Sequence, residues 1–213
     1  MFAIVLLAAA LAATNAHATP GDEATITYRK VFKSSYPEFT EIRISRSGAA
    51  TYDIRQLSDA STPQAAQISG PLVSRIFDLT AKLHDFDGID IEMHHRIANL
   101  GQKTFTYQNG AETHSVTFNY TLNQPASQLL AIFDDLARQQ TDLADLKRTM
   151  RYDRLGVNDV LMQVEKDYDN RLFLQPDQLL PTLDQLAADA HFIDIARERA
   201  RTLATRIRSS RQP

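Results

Sequence analysis

The chain has 213 residues, a formal net charge of −3, six histidines, and neither cysteine nor tryptophan. A chain of this length can bury a core without cross-links. The missing thiols exclude disulfides, thiolate zinc sites, iron–sulfur clusters, cysteine catalysis and a lipidated N-terminal cysteine, and the modest net charge points to no particular partner.

Residues 2–13 form an uncharged apolar run, followed by Asn15 and Ala16-His17-Ala18. Small side chains at Ala16 and Ala18 suit a signal peptidase. The layout is that of a secretory signal peptide over residues 1–18, although no Lys or Arg precedes the run. The run is shorter than the roughly twenty residues that cross a bilayer. The expectation is an exported chain, periplasmic or extracellular, with no transmembrane span once the leader is removed.

The remainder reads as an α+β domain over residues 19–140 and a helical extension over residues 141–213. Residues 25–32 are rich in β-formers and predict a strand, ended by Ser34-Ser35-Tyr36-Pro37. Residues 39–45 and 49–55 predict a hairpin. A three-residue loop, Arg46-Ser47-Gly48, places Ile42, Ile44, Tyr52 and Ile54 on one face, whereas a two-residue loop does not. Gly48 is then expected in the left-handed region. The polar residues 56–70 read as a loop.

Pro71 opens a helix to about His84, with Leu72, Val73, Ile76, Phe77, Leu79 and Leu83 at helical spacing. Residues 89–93 alternate and predict a strand, with Ile89, Ile91 and Met93 inward and Asp90, Glu92 and His94 outward. A second hairpin, 103–107 with 111–121, turns at Asn109-Gly110. Its two-residue loop puts Phe105, Tyr107, His114, Val116, Phe118 and Tyr120 on one face. Gln124-Pro125 starts a long helix with Leu129, Leu130, Ile132, Phe133 and Leu136 as its stripe, extendable through Leu143 and Leu146. Asn158 is a potential cap for a segment carrying Val160, Leu161 and Val164. Pro176 and Pro181 bracket the start of a long amphipathic face that includes Leu183, Leu186, Ile193, Ala200, Leu203 and Ile207. The predicted fold is α+β: an antiparallel sheet from two hairpins, helices packed on one face, and a helical C-terminal extension.

The hairpin–helix–hairpin–helix order over residues 24–139 resembles uncharacterised domains of exported bacterial proteins. The residues that carry the likeness are Ile42-Arg43-Ile44 into Gly48 and Tyr52, then residues 83–86, then residues 103–107. It brings no activity with it, so no site residue follows from it.

The densest chemical cluster is residues 84–95, with three histidines and four carboxylates. Oxygen and imidazole donors there suit zinc or manganese, and His84, Asp87, Asp90 and His94 would be the ligands of a metal-assisted hydrolase. The spacing fits a solvated strand edge better, because adjacent His94 and His95 point to opposite faces. His114 falls by parity on the apolar face beside Tyr107 and Glu112. His191 lies in helical sequence with Asp194 three residues on, and Asp134-Asp135 read as helix surface. Nucleophile-elbow, zinc-protease and phosphate-loop motifs are absent. Residues 194–213 carry six arginines against two acids. Arg197, Arg201, Arg206 and Arg208 could contact an anionic surface, or could simply favour the helix dipole. No aromatics interleave with them, which argues against nucleic acid. The resulting expectation is a non-enzymatic binding or structural protein. It has no cofactor, its partner is a protein or envelope component, and its binding surface is the sheet's second face or the sheet–helix cleft.

Overall fold

The computed structural model describes residues 23–210, so the signal-peptide expectation and Arg211 fall outside the described residues. Six strands form one antiparallel sheet: β1 (Thr25–Val31), β2 (Phe39–Ser45), β3 (Ala49–Arg55), β4 (Gln64–Gln67), β5 (Gln102–Asn109) and β6 (Glu112–Phe118). Their spatial order is β4-β3-β2-β1-β5-β6. Alternation along each strand sorts the two faces. Ile26, Tyr28, Ile42, Ile44, Tyr52, Phe105, Val116 and Phe118 are buried on one of them. Thr27, Arg29, Arg43, Thr51, Thr104, Thr106 and Thr117 belong by parity to the other. β1 joins the hairpins, with Tyr28 opposite Ile42 on one side and Phe105 on the other.

The first hairpin has the expected register, Ile44 opposite Ala50 and Ile42 opposite Tyr52. Gly48 has φ +88°, and a Cβ there would lie 2.6 Å from the Ile68 carbonyl oxygen. Only glycine meets both conditions. The second hairpin turns one residue later than expected. Asn109 pairs with Glu112, so the loop is Gly110-Ala111. That shift moves every partner by two positions and preserves parity, so Phe105, Tyr107, His114, Val116 and Phe118 keep a common face. Tyr120 does not, since it lies past the end of β6 and is exposed.

Two further expectations are corrected. Residues 56–70 are not all loop, since Gln64–Gln67 pairs with β3 as an edge strand. Residues 89–93 form no strand. Ile91 is buried as the alternation requires, but local side chains take the backbone donors. The Asp90 carboxylate accepts the Glu92 N–H (2.9 Å), and the Glu92 carboxylate accepts the Asn119 N–H (2.5 Å). Such bonds compete with a ladder.

The helices are α1 (Gly70–Lys82), α2 (Gln124–Tyr152), α3 (Val157–Asp169), α4 (Leu180–Ala188) and α5 (Asp194–Ser209), with short 3-10 turns at His84–Phe86 and Pro176–Leu179. Asn123 caps α2 by accepting the Ala126 N–H at 3.1 Å. α1 and the first half of α2 cover the buried sheet face in one core. A second core begins at Leu143 and gathers the rest of α2 with α3, α4 and α5. α2 therefore serves both.

Gly156, not Asn158, precedes α3. The long C-terminal face is broken between α4 and α5, where Asp189 accepts the backbone N–H of His191 (2.9 Å). The break buries Phe192 and leaves Ile193 42% exposed, so Ile193 is not a core residue. Among the described residues no helix is long and apolar enough to cross a membrane.

A seam of amides joins the two cores. Gln139 is fully buried, donates to the Gln175 carbonyl (2.8 Å) and accepts the Gln175 N–H (3.0 Å). The Gln175 side chain accepts the Ser69 N–H at 2.7 Å. A buried amide is tolerated when its donors and acceptors are met as those of Gln139 are, whereas the Gln175 Nε2 is buried without a partner.

Candidate functional site

Three concavities flank α2 beside the sheet. The widest, about 590 Å³, lies between α2 and the β3–β4 hairpin, with Tyr52, Ile54, Gln64, Ala66, Gln140 and Ala144 among its walls. A second, about 260 Å³, shares Ile54, Thr62, Gln140 and Ala144 with the first and continues to Tyr36 and Pro37. A third, about 370 Å³, shares Tyr36, Pro37 and Thr141 with the second and ends at Lys30, Asp134, Arg138 and Asp142. Shared walls make these one trough. Its α2 wall, Asp134 to Lys147, is about 20 Å long at helical rise.

The chemistry changes along its length. Ile54, Ala66, Leu143 and Ala144 give the wide end an apolar lining, and Gln64, Gln67, Gln140 and Gln178 surround it with amides. Those amides are held in place. Gln140 donates to the Gln178 side chain (2.7 Å), which donates to the Gln67 carbonyl (3.0 Å). Tyr52 is 3% exposed, and its hydroxyl has no partner within the chain. Burial pushes its phenol above the ordinary range, so it stays neutral.

The far end is charged. Tyr28 donates to Asp134 at 3.0 Å, fixing α2 to the central strand. Asp134 is thus a structural acceptor for the sheet rather than plain helix surface, and burial raises the Asp135 carboxyl above its usual value. Asp142 faces Asp167 of α3. Burial first, then the second carboxylate, push Asp142 up to about 7, while Arg138 opposes the shift and Asp145 adds to it. One oxygen of Asp142 is buried without a donor, and Asp167 is 4% exposed.

The histidine-rich segment does not form a comparable site. His94 Nε2 lies 2.8 Å from Asp90, on the surface. The backbone N–H of Glu92, then His94, hold the Asp90 carboxyl below its usual range. His84 and Asp87 do not join this pair, and among the described residues no three His, Asp or Glu side chains gather as a metal site would require. His114 sits on the apolar face opposite Tyr107, as parity predicts, with Nε2 3.4 Å from Glu112 and Nδ1 buried without a partner. His191 pairs with Asp189 (2.7 Å) rather than Asp194, because its segment is not helical.

The described arginines of the tail meet carboxylates. Arg197 pairs with Asp194, Arg199 and Arg206 with Glu165, and Arg208 with Asp184. Arg201 pairs with Glu198, and Arg206 also with Asp169. Their charge is largely neutralised within the helical unit: Arg199 and Arg206 join α5 to α3 and Arg208 joins it to α4, while the Arg197 and Arg201 pairs lie within α5.

No trough residue stood out as a site in the sequence. One signal was available. Gln139 occupies the apolar stripe of α2 between Leu136 and Leu143, and an amide there marks the seam behind the trough. Tyr52 reads as core until its unmet hydroxyl is seen. No protein-family model matches the chain, and no curated protein is significantly similar to it.

Proposed function

We propose that the mature chain is an exported, non-enzymatic binding protein of the cell envelope or extracellular space, and that it holds a segment of an extended polymer in the trough. The observation that carries this reading is the continuity of the three concavities along α2. An elongated, amide-walled trough suits a chain-like ligand better than a compact one, since a small molecule favours a single enclosed cavity.

Two substitutions test the trough, read by fluorescence anisotropy with a labelled pool of neutral octapeptides and by thermal melting. Ala144→Trp fills the middle of the trough from an exposed position. It should lower affinity at least about tenfold, one steric contact's worth, with an unchanged melting temperature. Tyr52→Phe should raise stability by about 1 kcal/mol and leave binding unchanged, because the hydroxyl is closed off from solvent. Binding that Ala144→Trp leaves unchanged contradicts the reading. Export has its own check. Chain recovered from a secreting host should begin at Thr19, and a retained Met1 would contradict the address.

A further inference from the structure

One end of the helical unit carries an apolar tip. α3 and α5 run parallel, since Arg199 meets Asn158 and Glu165 while Arg206 meets Glu165 and Asp169, further along both helices. α4 runs back beside α5, since Arg201 reaches the Ala187 carbonyl and Arg208 reaches Asp184. The α2–α3 corner and the α4–α5 link therefore emerge at the same end. Arg154 of the corner is close enough to Asp189 of the link to act on it electrostatically. From these two turns project Tyr152 (74% exposed), Leu155 (80%), Ile193 and Ile195 (58%).

Cations flank the tip. The Arg151 guanidinium lies 5.2 Å from the Tyr152 ring centroid. The acids at this end are held by local donors: Asp153 accepts the Gly156 N–H (3.1 Å), Asp189 pairs with His191, and Asp194 pairs with Arg197. Asp159, the next acid along α3, lines a separate shallow hollow with Lys166. Among the described residues Arg151 and Arg154 form no ion pair, unlike the α5 arginines from Arg197 to Arg208. The four apolar side chains come from helix ends and links rather than from one stripe, so they offer no face for a partner helix. They expose a few hundred Å² together, short of the roughly 800 Å² that each partner gives to a standard protein interface. The boundary between lipid headgroups and acyl chains suits such a tip. Aliphatic points enter the acyl region, a tyrosine ring lies at the boundary, and guanidinium groups stay with the phosphates.

We infer that this tip docks the protein on a phospholipid bilayer by shallow insertion of Tyr152, Leu155, Ile193 and Ile195, with Arg151 and Arg154 on the lipid phosphates. Docking does not depend on what the trough holds. It does set the trough's position, because Lys147 at the wide end is about 8 Å from Tyr152 along α2. The wide end is then held close to the headgroups. The contact is reversible, at or below the strength of a single myristoyl chain, about 10⁴ M⁻¹.

The test uses the chain from Thr19 onward, which contains both cores and lacks the apolar run of residues 2–13. The chain has no tryptophan, so Tyr152→Trp places a single reporter at the tip, and Ser115→Trp places one on the exposed sheet face. Vesicles are phosphatidylcholine alone or an equal mixture with phosphatidylglycerol, at about 1 mM lipid. The tip reporter should shift to the blue and be quenched by lipids brominated high on the acyl chain, while the sheet reporter stays unchanged. Leu155→Ser combined with Ile195→Ser should lower partitioning at least tenfold, read by co-sedimentation, with the melting temperature unchanged. Arg151→Gln combined with Arg154→Gln should remove the preference for the anionic mixture and leave insertion into phosphatidylcholine. Failure to partition into either vesicle overturns the proposal. So does binding that the two serines leave unchanged, or that the sheet reporter registers in place of the tip. A blue-shifted tip reporter without lipid, at twice the monomer mass, overturns it in favour of a second copy.

Discussion

At pH 8, Asp142→Asn should melt above the parent chain by about 5 °C, and at pH 4 the two should melt together. The Asp142 carboxyl titrates near 7 in the folded chain because it is buried and faces Asp167 across the α2–α3 contact. In the unfolded chain it titrates near its ordinary value of about 3.9. Between those two values the folded state binds more protons than the unfolded state, so stability falls as pH rises from about 4 to 7 and is flat above. The full shift would be worth about 4 kcal/mol. Asp142 is partly open to solvent, so screening reduces this to on the order of 2 kcal/mol. Asparagine keeps a donor for Asp167, which already accepts from Gln163 at 3.0 Å, and removes the charge. A parent chain equally stable at pH 5 and pH 8 would show that the two carboxylates are better solvated than their packing indicates.

Phe105→Ala should cost about 3–5 kcal/mol, read by urea denaturation, and Phe105→Leu about 1–2 kcal/mol. Phe105 is fully buried at the centre of an aromatic cluster, with ring centroids 5.6 Å from Tyr28, 5.5 Å from Phe86, 5.2 Å from Phe118 and 5.9 Å from Phe133. Those partners come from β1, β6, α2 and the turn after α1, so truncation opens a void that no single element can close. A domain typically holds only about 5–15 kcal/mol in all. The loss is therefore a large share of total stability. A cost below about 1 kcal/mol would mean that the layers repack freely, contrary to the interlocked geometry. Substituting Thr104, beside Phe105 on the opposite sheet face, should change stability by less than about 0.5 kcal/mol.

The layer that does the packing was legible because period-two and helical patterns survive small errors of placement. The β5–β6 turn shows this. Its loop is one residue later than Asn109-Gly110 suggests, yet Phe105 and Val116 keep their face because partners moved by two. Gly48 was legible for a different reason, since only one loop length put Tyr52 and Ile54 with Ile42. Residues 89–93 failed because pattern reports which side chains go inward, not whether the backbone finds a ladder. Ile91 is buried, but Asp90 and Glu92 bind the nearby N–H groups instead. β4 was illegible because Gln-Ala-Ala-Gln carries no strand propensity and exists through its pairing with β3.

The site was harder still. The sheet–helix cleft could be anticipated as a location, but its walls come from segments far apart in sequence. Tyr52, Gln64, Gln140 and Gln178 meet only when α2 and the second core are in place. Conversely, the local density of acids and histidines over residues 84–95 brings only His94 and Asp90 together as a pair, because neighbours in sequence there diverge in space. The partners of Arg199, Arg206 and Arg208 were illegible for the same reason, since those counter-charges lie on α3 and α4.

The central claim is that this chain works as a binder through the trough along α2. The most direct measurement is a chemical-shift map of the isotopically labelled mature chain titrated with the neutral octapeptide pool. The account predicts shifts concentrated at Tyr52, Ile54, β4 and the α2 stretch from Gln140 to Lys147, with the histidines of residues 84–95 silent. Shifts gathered on that histidine segment, or on the tail arginines while the trough stays unperturbed, would contradict it.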